Sequence, residues 1–223
     1  MINWLHARWY RPETGWDPVP SKHAVKYADG EWKAINEGLL DELEARAGGF
    51  AGKHLLDLGG GPGQYAVAFA RRGAEVTWFD VSAIYRAISE RKAAEQGVAD
   101  RIRFSIGYLD DAPRILGQQF DIVFNRICWN YGFSDRRFAD VIYRLVAPGG
   151  YAYVDTNHSA FQRDEIGWST RVRTWLNDRL WIKIGHPYPP HGRLAGMFLH
   201  YPLRLVVIDY RSLFNDRIFF QKV

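Results

Sequence analysis

Residues 55–64, LLDLGGGPGQ, constrain the fold of this chain more than any other stretch. An apolar strand that contains Asp57 leads directly into a turn with four glycines, and a helix begins at Gln64. Glycine adopts the left-handed conformations that such a turn needs, and it lets a ligand approach the backbone closely. Free N–H groups at the helix start then face that ligand. The turn therefore predicts a nucleotide-like ligand at the end of a parallel strand.

Strand and helix patterns alternate from residue 31 onward, which is typical of a parallel sheet with helices on both faces. Strands are predicted over residues 54–58, 75–80, 101–106, 120–124, 151–155, 203–210 and 217–221. A turn at Asn215 and Asp216 is predicted to join the last two. Helices are predicted at 32–43 and 64–72, and after the cap residues Ser82 and Ser134. We expect one α/β domain over residues 1–223, with a seven-stranded, mostly parallel sheet whose last strand is antiparallel.

Charge and cysteine content narrow the classes of function. The chain has 29 basic and 25 acidic residues, and this small excess weakly favours an anionic ligand and disfavours a nucleic-acid partner. A single cysteine, Cys128, excludes an internal disulfide and a cysteine-based zinc site. The sequence contains neither a leader pattern nor an apolar run of about 18 residues, so we expect a cytoplasmic protein without membrane contact.

The order Asp57-x-Gly59-x-Gly61-x-Gly63 resembles motif I of the class I S-adenosylmethionine (SAM) dependent methyltransferases. Three further segments are similar to that family: the acid that ends the second strand, Asp80; the strand at 120–123; and the turn at 145–150. A dinucleotide-binding turn also fits residues 61–66. The closing hairpin resembles the family's antiparallel seventh strand, which argues against an NAD oxidoreductase.

The resemblance implies SAM as cofactor and S-adenosylhomocysteine (SAH) as product. It implies that Asp57 faces the methionine amino group and that Asp80 accepts from the ribose hydroxyls. The family's usual adenine-binding acid is replaced by Tyr108, so the Leu109 backbone and Asp110 are expected at the adenine edge. The expected cofactor contacts are Asp57, Gly59, Gly61, Gly63, Gln64, Asp80, Val81, Tyr108, Leu109, Asp110 and Asn125.

Two segments outside the sheet are predicted to cover the methyl acceptor. Ligands of open α/β sheets bind beyond the carboxyl ends of the strands. The N-terminal arm (residues 1–30) and the insertion (residues 159–202), with apolar residues at helical spacing from Ile166 to Leu180, flank that edge as a helical lid. Eight of the nine tryptophans lie outside the predicted sheet, and aromatic rings exclude water. The predicted substrate contacts are Trp16, Tyr27, Trp129, Tyr131 and Trp168.

The chemistry needs alignment of the acceptor and, for an oxygen acceptor, removal of a proton. His158, directly after the fifth strand, is the first candidate base, and His23 is the second. We interpret residues 185–192, with histidines five apart, as a rigid loop and expect no metal. The sequence favours methyl transfer to a small molecule, most readily at oxygen. An RNA methyltransferase, a non-catalytic SAM-binding protein and a homodimer stay open.

Overall fold

Seven strands form a single sheet in the computed structural model, which describes residues 3–162 and 167–223. They are β1 (His54–Leu58), β2 (Glu75–Asp80), β3 (Ile102–Ile106), β4 (Phe120–Arg126), β5 (Val146–Asn157), β6 (Leu203–Asp209) and β7 (Asn215–Lys222). Their order in the sheet is β3-β2-β1-β4-β5-β7-β6. Strands β1 to β5 pair in parallel, and β7 is antiparallel to both β5 and β6. The predicted mostly parallel sheet with an antiparallel last strand is therefore confirmed.

Helices cover the sheet within the described residues. They are α1 (Asn3–Trp9), α2 (Ser21–Lys33), α3 (Glu37–Ala47), α4 (Gln64–Arg71), α5 (Ala83–Glu95), α6 (Ala112–Leu116), α7 (Asp135–Leu145), α8 (Trp168–Leu180) and α9 (Arg193–Phe198). The hydroxyl of Ser82 accepts the N–H of Tyr85, and the hydroxyl of Ser134 accepts that of Arg137. Both predicted caps are confirmed. Ile166, predicted to share the face of α8, lies outside the described residues.

The single helix predicted over residues 32–43 is wrong, because the chain breaks between α2 and α3. Asn36 leaves the helical conformation and its side chain accepts the N–H of Leu39, which starts a new helix. The indole N–H of Trp32 instead donates to Pro62 O at 3.1 Å. The end of α2 is thereby held against the glycine turn.

The turn predicted at Asn215 and Asp216 is also wrong, since both residues belong to β7. Asn215 lies opposite Asn157 of β5. The chain turns over residues 210–214, where the hydroxyl of Ser212 accepts the N–H groups of Phe214 and Asn215. The predicted fifth strand, 151–155, is longer in the structure because Val146 pairs with Phe120 before a register shift.

The core lies on both faces of the sheet, and side chains alternate between the faces along each strand. Trp78 of β2 packs with Phe69 and Phe124 on one face, whereas its neighbour Phe79 packs with Phe138 on the other. Leu58 of β1 lies opposite Phe79, so β1 and β2 end at the same edge. That edge carries the glycine turn.

Candidate functional site

The glycine turn between β1 and α4 packs tightly against the protein beneath it. A Cβ on Gly59 would lie 2.3 Å from Cys128 Sγ, and one on Gly63 would lie 1.8 Å from Ser89 Oγ. Gly59 and Gly63 also have φ values of +82° and +83°. At Gly61 (φ +49°) a Cβ would meet no atom within 4 Å. Internal packing thus requires glycine at positions 59 and 63. Of these three glycines, only Gly61 borders open space where a ligand could approach the backbone.

Two buried carboxylates lie beside this turn. Asp80 ends β2 and accepts the N–H groups of Gly61 and Ser82, each at 3.0 Å. Asp57 Oδ2 is buried without a hydrogen-bond partner. Burial, followed by the charge of Asp80, raises the pKa of Asp57 to about 7, and burial raises the pKa of Asp80 to about 6. A cation beside Asp57 would relieve both the burial penalty and the missing hydrogen bond.

The N-terminal arm crosses the ends of β2 and β3. Asp17 accepts the hydroxyl of Ser82 and the N–H of Ile84, each at 3.0 Å, and so attaches the arm to the start of α5. The ring of Trp16 lies 6.0 Å from that of Tyr108, whose hydroxyl donates to Tyr10 O. Trp16, predicted as a substrate contact, therefore lies beside the predicted adenine position instead.

Asp110 was predicted at the adenine edge, but its carboxylate is buried and contacts protein groups. Its Oδ2 accepts the N–H of Phe133 at 2.8 Å, and its Oδ1 lies 3.3 Å from Arg137 Nε. The carboxylate therefore ties the loop after β3 to the loop before α7, which explains why it is buried. Leu109 is buried next to Gly59, where a Cβ on the glycine would lie 3.6 Å from its Cδ2.

Asn125 is buried near the end of β4 and hydrogen-bonds protein groups there. Its Nδ2 donates to Leu58 O at 2.9 Å and to Cys128 Sγ at 2.8 Å. Burial raises the pKa of the Cys128 thiol far above its usual range, which argues against a nucleophile. Gln64 donates to Glu31 at 3.1 Å, and Val81 is half-buried next to Asp80.

Tyrosines gather where the acceptor was expected. Burial raises the pKa of Tyr27, and Glu31, Tyr85 and Tyr131 add smaller contributions. The rings of Tyr27 and Tyr85 lie 5.9 Å apart. Tyr131 also lies close enough to Asp80 for the carboxylate to contribute to its raised pKa. The structure therefore pairs Tyr27 with Tyr85, which the sequence interpretation missed, and the pKa of Tyr27 responds to Tyr131 as well.

Two predicted substrate contacts lie elsewhere. Trp129 is fully buried, packs against Phe138 and Phe198, and donates its indole N–H to Asp135 at 2.9 Å, so it belongs to the core. Trp168 at the start of α8 is 81% exposed. The aromatic content that suggested both residues does not distinguish a core ring from a pocket ring.

His158 lies in a cluster with two residues that the sequence interpretation did not assign. His191 Nδ1 lies 2.6 Å from Asp216 Oδ1, and the rings of His158 and His191 are 4.7 Å apart. His158 and Asp216 are buried, whereas His191 is exposed. We call these three residues the two-histidine cluster. His23, the second candidate base, is exposed on α2 and takes no part in it.

Comparison with known proteins identifies this arrangement. Residues 55–150, from β1 to the start of β5, match the family model described as a methyltransferase domain. A ubiquinone biosynthesis O-methyltransferase of Aeromonas salmonicida (strain A449) is 30% identical over 131 residues, which are 57% of this chain and 54% of that protein. The family model and this relative support a class I SAM-dependent methyltransferase. The chain spans about half the length of the curated relatives that it matches.

Solved structures share the fold of this chain. A SAM-dependent methyltransferase from Aquifex aeolicus has a TM-score of 0.65 at 14% identity, over 92% of this chain and all of that one (100%). An O-methyltransferase family protein from Burkholderia thailandensis has a TM-score of 0.61 at 21% identity, over 91% of this chain and 61% of that one. Among its described residues, the chain has no helix with the length and apolar character of a membrane span.

The residues beside the glycine turn fit SAM, the cofactor of that family. Asp57 offers an unpaired buried oxygen to an ammonium group, and Asp80 offers carboxylate oxygens at the end of β2. Gly61 leaves open space above the turn. Asp57 and Gly61 belong to motif I, and Asp80 is the acid that ends the second strand. Asp17 and Tyr85 belong to no motif, and only their contacts in the fold place them beside this site.

Proposed function

We propose that this methyltransferase transfers a methyl group from SAM to an oxygen atom of a small aromatic acceptor. When bound, SAM supplies the electrophilic methyl group. The observation that carries the proposal is the pair of buried carboxylates, Asp57 and Asp80, beside the glycine turn of a family whose cofactor is SAM. Asp57 would hold the ammonium group and Asp80 the ribose hydroxyls.

An oxygen acceptor is supported by the names of the curated relatives and by the two-histidine cluster. The relatives at about 30% identity are named O-methyltransferases. The cluster lies directly after β5, and a hydroxyl must lose its proton as it attacks the methyl group. We propose that the cluster ionises this hydroxyl.

An aromatic acceptor is supported by the tyrosines around the proposed site. Tyr27, Tyr85 and Tyr131 can pack against a flat ring, and the arm beside them would exclude water. The remaining task of the protein is alignment, because methyl transfer requires the oxygen in line with the bond that breaks. Tyr131 after β4 is the proposed aligning residue.

The proposal is tested with SAH binding and with methyl transfer. Isothermal titration should show one SAH per chain, and Asp80→Ala should weaken binding about fivefold or more, since a charged hydrogen-bond acceptor is lost. Asp100→Ala, at an exposed acid on a 3-10 turn, is the matched control and should bind normally. Radiolabelled SAM with a panel of phenols and catechols then measures transfer. A folded wild-type protein that binds no SAH would contradict the proposal.

A further inference from the structure

The two-histidine cluster joins three segments that are distant in sequence. His158 follows β5, His191 lies in the loop before α9, and Asp216 lies in β7. Each side chain offers one ligand atom, and these atoms lie within 4.8 Å of one another. Two imidazoles and a carboxylate form a donor set suited to zinc and neighbouring transition metals.

The cluster has an unsatisfied polar atom. His158 is only 3% exposed, and its Nδ1 has no hydrogen-bond partner. A buried polar nitrogen in a native protein normally has a partner. A ligand bound at this cluster would supply the missing partner.

Backbone groups hold the cluster in place. The N–H of His158 donates to Phe214 O at 3.1 Å, which fixes the residue against the turn before β7. The N–H of Gly192 donates to Asp216 Oδ2 at 2.6 Å, which leaves Oδ1 directed at His191. Hydrogen bonds of this kind orient the ligands of metal sites.

The spacing of the cluster brackets that of a metal site. Ligand atoms about 2.1 Å from a tetrahedral zinc ion lie about 3.4 Å from each other. The ligand atoms here lie within 4.8 Å of one another, and His191 Nδ1 and Asp216 Oδ1 are 2.6 Å apart, so binding needs shifts of about 1 Å. The His191 side chain is 51% exposed, so its ring can make this adjustment and a cation can enter from solvent.

We propose that the two-histidine cluster binds one divalent transition-metal ion, with His158, His191 and Asp216 as its protein ligands. Three ligands leave a position for water or for an acceptor oxygen, as in catalytic zinc sites. The loop of His191 extends towards the tyrosines, because its other histidine, His186, lies 4.7 Å from the ring of Tyr131. A cation there would bind the acceptor oxygen and lower its pKa. Metal binding itself does not depend on the proposed methyl transfer.

Cobalt(II) is the probe for this site, because its visible absorption reports the ligands. Titration of the metal-stripped protein should give one bound Co²⁺ per chain, displaced by one equivalent of Zn²⁺. Mg²⁺ should not compete, since it prefers oxygen ligands. Absence of stoichiometric Co²⁺ binding, or equal competition by Mg²⁺, would overturn the assignment.

Variants then locate the bound ion. His191→Ala and Asp216→Asn should each weaken Co²⁺ binding by about tenfold or more, which is the least expected for loss of a ligand. His200→Ala, at an exposed histidine outside the cluster, is the control and should bind as the wild type does. Circular dichroism checks that each variant is folded, and His191→Ala removes an exposed side chain. Unchanged Co²⁺ affinity in folded His191→Ala would overturn the proposal. It would show that His191 and Asp216 of the wild type form a hydrogen-bonded pair and not a metal site.

Discussion

Asp57 and Asp80 lie buried beside one glycine turn, and the charge of Asp80 adds to burial in raising the pKa of Asp57 to about 7. The two strands that carry them are parallel neighbours, with Leu58 opposite Phe79. In the ligand-free protein, burial and mutual repulsion disfavour the ionised forms of these two carboxyl groups. A ligand with an ammonium group reverses that preference, so ligand binding and proton release are coupled.

Binding of SAH should therefore strengthen as pH rises. The folded-state pKa values of about 7 and 6 exceed the ordinary aspartate value, so both carboxyls carry protons in acid and lose them towards neutral pH. If only the ionised form of a carboxyl binds ligand, affinity changes about tenfold per pH unit well below its pKa. Calorimetric titration between pH 5 and 8 measures this rise. In Asp57→Asn, binding at pH 8 should be weaker and the pH dependence smaller.

The stability of the ligand-free protein should change in the opposite direction. A raised folded-state pKa means that the folded protein holds protons that the unfolded chain releases. The contribution of Asp57 and Asp80 to the free energy of unfolding is thus greatest below about pH 4, falls towards pH 7 and is then constant. Urea unfolding of wild type and Asp57→Asn across this range isolates the contribution. Equal pH dependence in both proteins would contradict the assigned pKa.

The two glycines Gly61 and Gly63 should respond differently to alanine. A methyl group on Gly63 collides with Ser89 and occupies a left-handed backbone position, so Gly63→Ala should lose about 2 to 4 kcal/mol of stability. Gly61→Ala meets no atom and should lose about 1 kcal/mol from backbone strain alone. Because its methyl group enters the proposed cofactor space, SAH affinity should nevertheless fall about tenfold. Thermal unfolding and calorimetry separate the two effects.

The sheet and the cofactor side could be predicted because their signals are local. The strand that ends at Asp80 is an apolar run bounded by Gly73 and Ser82, and β2 has the predicted bounds. The caps at Ser82 and Ser134 depend on residues three positions away. Asn36 carries the same kind of cap signal, but the apolar spacing across it favoured a continuous helix.

The acceptor side could not be predicted, because its contacts join distant segments. Asp216 reaches His191 only because β7 pairs with β5 in antiparallel register, and no local pattern specifies that register. Trp129 is a core residue because Asp135 accepts its indole N–H, and Asp135 is itself held by Lys183. The sequence shows that histidines, tryptophans and acids are present, but only the fold determines which of them are in contact.

The attachment of the arm through Asp17 should control both proteolysis and cofactor affinity. Asp17→Ala removes the acceptor for the Ser82 hydroxyl and the Ile84 N–H, at a cost of about 1 kcal/mol or more. The arm should then open more often, and trypsin should cleave after Lys22 faster than in the wild type. Asp29→Ala, at an exposed acid of α2, is the control. If the arm covers the cofactor, SAH should slow cleavage of the wild type more than that of Asp17→Ala.

Neutralising the buried carboxylate of Asp135 should greatly reduce the stability of the protein, because this carboxylate holds the insertion on the core. Its two oxygens lie 3.1 Å from Lys183 Nζ and from Arg193 Nη1, and all three side chains are buried. Burial alone would raise the pKa of Asp135, but the two cations outweigh it and hold the pKa below its ordinary value.

Replacement of Asp135 by Asn leaves Lys183 and Arg193 buried without a counter-charge, so we expect a loss of about 3 to 5 kcal/mol in urea unfolding. Asp140→Asn is the matched control, because Asp140 lies on the same helix and pairs with exposed Arg144, and surface pairs contribute about 1 kcal/mol or less. Similar losses in the two variants would show that the buried network does not anchor the insertion. A selective loss in Asp135→Asn, together with faster proteolysis within residues 168–180, would locate the weakened contact at the interface between the insertion and α7.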